Sequence, residues 1–229
     1  MIDIIKKEAR LIAILTLSIT LSLALSFLRF KISGSIHYSF LLWNLILAGI
    51  PLVIALVLHH KLNKIKTIFL LTMIALWLLF FPNSPYILTD IFHLRPRDGM
   101  ALWFDLLLIM SYAWNGLILG FYSLWHIQEV VKKRWNKGLA NIFIFISLFL
   151  AGFGVYLGRF LRWNSWDILT NPQGLVIDIL DRLVHPFQHS ATWGMTLVMA
   201  SFLFIAYVSI CHFGYLHLKS RLYEKGEHE

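Results

Sequence analysis

Apolar residues fall into six long blocks along this chain, at 11–28, 39–58, 65–81, 102–125, 139–158 and 191–215, separated by short polar connections. Each block holds roughly 18 to 24 residues, the length that crosses a hydrocarbon core about 30 Å thick at about 1.5 Å per residue. Lipid offers no hydrogen bonds to a free strand edge, so blocks of this kind must be helical. The pattern predicts an all-α, polytopic membrane helix bundle of about six transmembrane helices, forming one membrane domain over residues 1–229. The first block follows Lys6, Lys7 and Arg10, as a signal peptide would. It exceeds the usual signal length and runs into Arg29 and Lys31 without a small-residue cleavage site, so it reads as an uncleaved span. The last long connection carries a helical period of its own. There Leu175, Val176, Ile179, Leu180, Leu183 and Val184 recur at helical spacing, Asp178, Arg182 and His185 occupy the other face, and Pro186 marks the stop. The expectation is an amphipathic helix lying in the membrane interface, with His189 converging on its polar side.

Composition agrees with burial in lipid. Hydrophobic residues make up 59% of the chain, charged residues 14%, and the mean hydropathy is +0.71, against ordinary shares of about 45–50% and about 25%. A net charge of +8 could suggest nucleic acid as a partner, but the basic residues sit in short clusters between apolar blocks, which is a topology signal. Lys6, Lys7, Arg10, Lys61, Lys64, Lys66, Lys132, Lys133, Arg134, Lys137, Lys219, Arg221 and Lys225 put 13 cations on one side. Arg29, Lys31, Arg95, Arg97, Arg159, Arg162 and Arg182 put seven on the other. The bias predicts a multi-pass protein of the cell membrane with both termini in the cytoplasm. All five Glu fall on the lysine-rich side, while Asp90, Asp98, Asp105, Asp167, Asp178 and Asp181 fall on the outer side. Cys211 is the only cysteine, which excludes an intrachain disulfide and a cysteine metal cluster.

Chemistry therefore concentrates at the outer ends of the spans. The third span runs into Phe81-Pro82-Asn83-Ser84-Pro85-Tyr86-Ile87-Leu88-Thr89-Asp90-Ile91-Phe92-His93. Two prolines three residues apart break the helix, and non-helical backbone at membrane depth has to be buried by protein or line a watery cavity. Asn83, Ser84 and Tyr86 are expected to face inward, and Asp90 and His93, three apart, to share a face; a capped turn with surface polar residues fits the same pattern. Asp105 lies about one turn inside the fourth span, where an ionisable group has to pair or line a polar path. Tyr112, Gly116 and Ser123 share its arc, with Asn115 and His126 beside it, and interhelical hydrogen bonding explains most of that stripe. The fifth span carries Gly154-x-x-x-Gly158 and leads into Arg159-Phe160-Leu161-Arg162-Trp163-Asn164-Ser165-Trp166-Asp167. Arg159 and Arg162, one helical turn apart, suit either a pairing with Asp90, Asp105 or Asp167 or an anionic headgroup. The His and Asp residues of this side, His185 and His189 included, would suit a divalent metal chemically, but HExxH or comparable spacing is absent and no metal or other cofactor is expected. Nucleotide-binding and hydrolase fingerprints are absent as well.

Two segments, P-N-S-P-Y-I-L-T-D-I-F-H-L and Y-L-G-R-F-L-R-W-N-S-W-D, resemble an uncharacterised family of bacterial multi-pass membrane proteins classed as a domain of unknown function. The resemblance implies a membrane location and no catalytic assignment. Its motif positions are Pro82, Asn83, Pro85, Tyr86, Asp90 and His93, then Gly158, Arg159, Arg162, Trp163, Asn164 and Asp167. The residues suggest a binding or transport protein with an outward-facing polar site for an anionic or lipid-like ligand. In it Asn83, Tyr86, Arg159, Arg162, Asn164 and Asp167 would bind, and Asp90, His93 and Asp105 are the candidate acids and bases. The alternatives are a membrane enzyme acting on a lipid-linked substrate at the outer face, and a noncatalytic assembly subunit that docks a protein partner through the interfacial helix. The expected partners are the bilayer and an anionic headgroup or small molecule, not nucleic acid.

Overall fold

The computed structural model describes the backbone of residues 2–96 and 99–226, and the side chains of residues 9, 12–96 and 99–214. Arg97, Asp98 and most side chains of the terminal basic clusters lie outside the described residues. Helix is the only regular secondary structure among those described, in the order α1 (Ile2–Ser33), α2 (Phe40–Lys61), α3 (Thr67–Phe80), α4 (Asn83–Tyr86), α5 (Leu102–Arg134), α6 (Lys137–Phe160), α7 (Asp167–Thr170), α8 (Pro172–Val184) and α9 (Ser190–Gly226). Six stretches are long and apolar enough to cross a membrane, and they correspond to the six blocks of the sequence. This is a multi-pass membrane protein. The spans alternate in direction, so one end of the bundle gathers the end of α1 and the starts of α2 and α5 with the ends of α3 and α6. We call it the motif end and its opposite the lysine end.

Several helices outrun their apolar blocks. α5 continues to Arg134 and α1 to Ser33, because hydropathy registers contact with lipid whereas the backbone ladder continues through Lys, Arg and Glu, which are good helix formers. α8 begins at Pro172, three residues before the expected start, because the Asn171 side chain accepts from the Gly174 amide (3.1 Å) and proline suits the first helical position. Its apolar side is left uncovered: Val176, Ile177, Leu180, Leu183 and Val184 are all more than half exposed.

α5 is the central helix. It packs against α1, α2 and α6 and against the broken end of the third span, while α9 packs on α6. One apolar core joins Leu58, Leu70, Trp77, Phe81, Leu124, Ile127, Leu148 and Ala151; a second joins Leu41, Ala48, Ile87, Leu108, Ile109 and Tyr112. The third span crosses this core in pieces. α3 stops at Phe80, α4 makes one turn, and a 3-10 segment runs over Ile87–His93.

Two glycine pairs hold that broken segment. Added Cβ atoms at Gly116 and Gly120 of α5 would stand 2.7 Å from the Ser84 carbonyl oxygen and 2.7 Å from Ser84 Cβ. At Gly154 of α6 a Cβ would stand 2.6 Å from Pro82 Cγ, and at Gly158 it would stand 3.0 Å from the Tyr86 ring. Both G-x-x-x-G pairs thus admit the turn α4 from opposite sides, instead of bringing two long helices together in the usual way.

α1 is joined to α5 by a polar ladder. From the motif end downward, Arg29 pairs with Asp105, Ser26 Oγ meets Tyr112 Oη (2.8 Å), and Asn115 Nδ2 donates to Ser22 Oγ (2.9 Å). Further down the same stripe of α5, Ser123 accepts from the Trp77 indole of α3 (3.3 Å) and His126 meets His59 of α2. Lys133 Nζ donates to His59 Nε2 (3.0 Å), which puts that ring's proton on Nδ1, facing His126 Nδ1. The polar stripe predicted for the fourth span is therefore interhelical along its whole length.

Candidate functional site

The two motif segments meet at the motif end. Breaking the third span leaves carbonyls at the end of α3 short of amide partners, and side chains from both segments satisfy them. Asn83 Nδ2 donates to the Phe80 carbonyl (2.8 Å) and to Ser165 Oγ (2.9 Å), and Ser165 Oγ donates to the Leu79 carbonyl (2.9 Å). The second segment therefore closes the helix that the first leaves open.

Arg159, in the last turn of α6, reaches across to the 3-10 segment. At three residues per turn that segment places Asp90 and His93 along one edge. Arg159 Nε donates to Thr89 Oγ1 (2.8 Å), Nη1 to His93 Nε2 (2.8 Å) and Nη2 to Asp90 Oδ1, with the guanidinium 4.4 Å above the Tyr86 ring. Thr89 passes its own proton to the Tyr86 carbonyl (2.6 Å). Asn44 of α2 donates to the second oxygen of Asp90 (2.8 Å), so three spans are tied to one carboxylate. Asp90 is 1% exposed and the Arg159 side chain 9%. His93 reaches the surface and lays its ring edge on Phe40 (5.2 Å).

Charge and hydrogen bonding are nearly closed within this cluster. A guanidinium only donates, so His93 Nε2 must be the lone-pair nitrogen and its ring proton sits on Nδ1. Both Asp90 oxygens accept. Arg159 has five N–H groups and commits three of them here, one from each nitrogen, which among the described residues leaves one N–H on each terminal nitrogen.

Asp105 belongs to a different cluster from Asp90 and His93, with which the sequence grouped it. Its partner is Arg29 at the end of α1, through Nε to Oδ1 (2.7 Å) and Nη2 to Oδ2 (3.2 Å). The Arg29 guanidinium lies 4.6 Å over Tyr38, and both charged groups are buried, Arg29 to 2% and Asp105 to 1% exposure. The partner expected for Asp105 among Arg159 and Arg162 is thus replaced by a residue of the first span. The reason is helix order: α5 lies against α1 along this arc, while Arg159 approaches from α6.

Arg162 also departs from the expectation that it lies one helical turn beyond Arg159. α6 ends at Phe160, and Arg162 adopts a left-handed backbone (φ 62°) that turns the Trp163 amide back to the Leu157 carbonyl (3.2 Å). Its side chain is exposed and has no hydrogen-bonding or ionic partner among the described residues. A non-glycine residue in this region costs about 1–2 kcal/mol.

Asn164 and Asp167 engage each other. The Asn164 amide and side chain donate to Asp167 Oδ2 (2.7 and 3.3 Å), and Thr170 donates to Oδ1 (2.9 Å). The Asn164 backbone N–H is the main cause that holds the Asp167 carboxyl below its usual pKa. A depressed carboxyl pKa contributes stability above the ordinary range near about 3.9, and loses it as pH falls through the lower folded value. The protection factor of the Asn164 amide, its exchange rate relative to the intrinsic rate at the same pH, is therefore expected to hold through neutral pH and to fall only on acidification below that range. In Asp167→Asn it should be low at every pH; a wild-type protection factor that does not change with pH would rule out the carboxylate as the restraint.

Further along the same connection, Trp163 Nε1 and Arg182 bind Asp178 (2.7 and 3.3 Å), and His189 Nε2 meets Asp181 (2.7 Å). His189 thus reaches α8 through Asp181. The His and Asp residues of the motif end are divided among separate clusters, and no three described His, Cys, Asp or Glu side chains form a ligand set for a metal.

Arg29, Asn44, Thr89 and Ser165 take part in these clusters without having been singled out in the sequence. For Arg29 the signal was present: Ser18, Ser22, Ser26, Arg29 and Ser33 recur at helical spacing on one face of an apolar span. Asn44 is likewise the lone amide in its apolar block. Thr89 and Ser165 lie inside motifs already marked but carried no separate signal.

Neither the curated proteins nor the solved structures contain a match to this chain. Residues 43–206 do match a family, and that stretch contains both motif segments and every residue of the Arg159 cluster while leaving α1 outside. The chain belongs to the family described as protein of unknown function DUF1361.

Proposed function

We propose that the motif end faces outward and that the protein binds an anionic group there on Arg159, serving binding or transport and not catalysis. The 13-to-seven bias in Lys and Arg supports this orientation. The observation that carries the reading is the state of Arg159: a nearly buried guanidinium, fixed by Thr89, Asp90 and His93, that keeps one uncommitted N–H on each terminal nitrogen. A planar fork of that kind suits a phosphate or carboxylate. Exposed Arg95 and Arg162 flank the cluster in sequence and supply the attractive field at its rim.

The same bonds weigh against the enzymatic alternative. A general base needs a free lone pair within reach of its substrate. Each Asp90 oxygen and His93 Nε2 already accepts a hydrogen bond, and Asp90 is 1% exposed, out of easy reach of a substrate.

Binding to the purified full-length protein in lipid discs is the test, with inorganic phosphate and glycerol phosphate as soluble probes and discs containing phosphatidylglycerol as the membrane-borne source. Arg159→Lys keeps the charge but loses the fork, and is expected to weaken binding about tenfold, in line with about 1.5 kcal/mol for one charge-assisted hydrogen bond. Arg162→Ala should lower the association rate more than the final affinity. Unchanged binding in Arg159→Lys, with the protein folded, would remove the proposal. Response to soluble probes but not to phosphatidylglycerol would identify a free anion as the ligand.

A further inference from the structure

α1 touches the bundle mainly through its polar ladder with α5, and beside that ladder the packing opens. A cavity of about 210 Å³ lies between the last turns of α1, the start of α2 and α5. Its walls are mostly apolar, with Leu23, Phe27, Phe30 and Leu42 prominent among them. These same four side chains are 41–61% exposed on the surface that faces hydrocarbon, so the cavity opens sideways into the bilayer.

Polar groups line the inner wall. Ser26 and Tyr112, whose hydroxyls are paired, buried Arg29, and Ser35 and Ser39 all line the space. They gather toward the motif end, while Leu23 marks the deeper part, about 9 Å below Arg29 at the helical rise. A molecule filling this space therefore needs a polar end at the level of the headgroups and an apolar chain below it.

Charge specifies that polar end further. Asp105 neutralises Arg29, but Lys31, beside the lining though not part of it, holds its ammonium 5.5 Å from the Phe27 ring and has no acidic partner among the described residues. Among the described residues the local balance is one positive charge, which complements a phosphodiester. We infer that the seam between α1, α2 and α5 is a binding site for one anionic phospholipid of the adjacent leaflet, its phosphate near Lys31, Ser35 and Ser39 and one acyl chain against Leu42, Phe27 and Leu23. The lipid completes the attachment of α1, the span that lies outside the family match. This site is separate from the Arg159 cluster, which involves α2, α6 and the broken third span.

Native mass spectrometry of the full chain, delipidated in mild detergent and titrated with dioleoylphosphatidylglycerol or dioleoylphosphatidylcholine, tests the inference. The wild type is expected to retain one phosphatidylglycerol in preference to phosphatidylcholine. Lys31→Gln is expected to reduce that preference about fivefold, as one interfacial lysine is worth about 1 kcal/mol. Leu42→Trp, which fills the mouth, should abolish retention of either lipid, and Ile36→Trp on the opposite rim is the second variant should the first not fold. Equal retention of the two lipids by the wild type, or full retention by the folded tryptophan variant, overturns the inference. Leu42→Trp and Arg159→Lys separate the two sites: a lipid lost in folded Leu42→Trp but kept in Arg159→Lys occupies the seam, whereas a protein whose retained lipid is lost only in Arg159→Lys carries it at the Arg159 site and overturns the inference.

Discussion

Asp105→Asn is expected to destabilise the protein by about 3–5 kcal/mol, because it leaves the Arg29 guanidinium charged and unpaired in a buried position. The two side chains are held by two hydrogen bonds at 2.7 and 3.2 Å and are 3% and 1% exposed, so neither can recover the loss by turning to water. The rest of the ladder should matter far less. Removing the Ser22 hydroxyl, which Asn115 contacts at 2.9 Å, should cost about 0.6 kcal/mol, the ordinary worth of an interhelical hydrogen bond in a membrane. Replacing both ion-pair partners, as in Arg29→Met with Asp105→Leu, is expected to restore most of the stability, since an apolar pair of similar size carries no desolvation penalty. A double-mutant cycle in mixed detergent micelles measures this directly. A loss below about 1 kcal/mol in Asp105→Asn would mean that Arg29 finds another partner, contrary to the packing described.

The second large effect is expected at Gly154. An added methyl would sit 2.6 Å from Pro82 Cγ and 2.8 Å from Pro82 Cβ, and a proline ring anchored in the chain cannot swing aside. Alanine gains about 1 kcal/mol in helix propensity over glycine, yet overpacking of this kind costs about 1–3 kcal/mol. The clash should win, because easing it means moving the turn that seats Ser84 against α5. Gly154→Ala is therefore expected to melt below the wild type, and Gly154→Leu lower still. Gly49→Ala provides the contrast, since nothing stands within 4 Å of its added methyl and propensity acts alone. If Gly154→Ala and Gly49→Ala melted alike, close seating of Pro82 would be wrong. Displacing this turn should also weaken anion binding, since it carries Asn83 and leads into Thr89, Asp90 and His93.

Much of the molecule could be read along one dimension. The six spans follow from block length and hydropathy, the interfacial helix from its period, and the break in the third span from Pro82 and Pro85. The inward orientation of Asn83 followed from the need to satisfy backbone freed by those prolines, and its donation to the Phe80 carbonyl has that cause. The partners were less accessible. Arg159 and Asp90 are 69 residues apart, and Arg29 and Asp105 are 76 apart. Each motif had several candidate counterions at similar membrane depth, and depth was all that hydropathy supplied. The G-x-x-x-G pairs marked close approach, but spacing alone did not say that a single broken turn enters between both of them.

By itself, then, the sequence determined that this chain crosses the membrane, how often, where its helices break, and at which end its polar chemistry gathers. These are properties of local solvation and local backbone geometry, which each segment carries with it. The tertiary structure decided that Arg159 belongs with Asp90, Thr89, His93 and Asn44, that Arg29 belongs with Asp105, and that Arg162 has no partner among the described residues. Pairing depends on which helices are neighbours and how each is rotated about its axis. Those variables are set by packing across the whole bundle, above all by α5 at its centre and by four glycines that admit one turn of the third span.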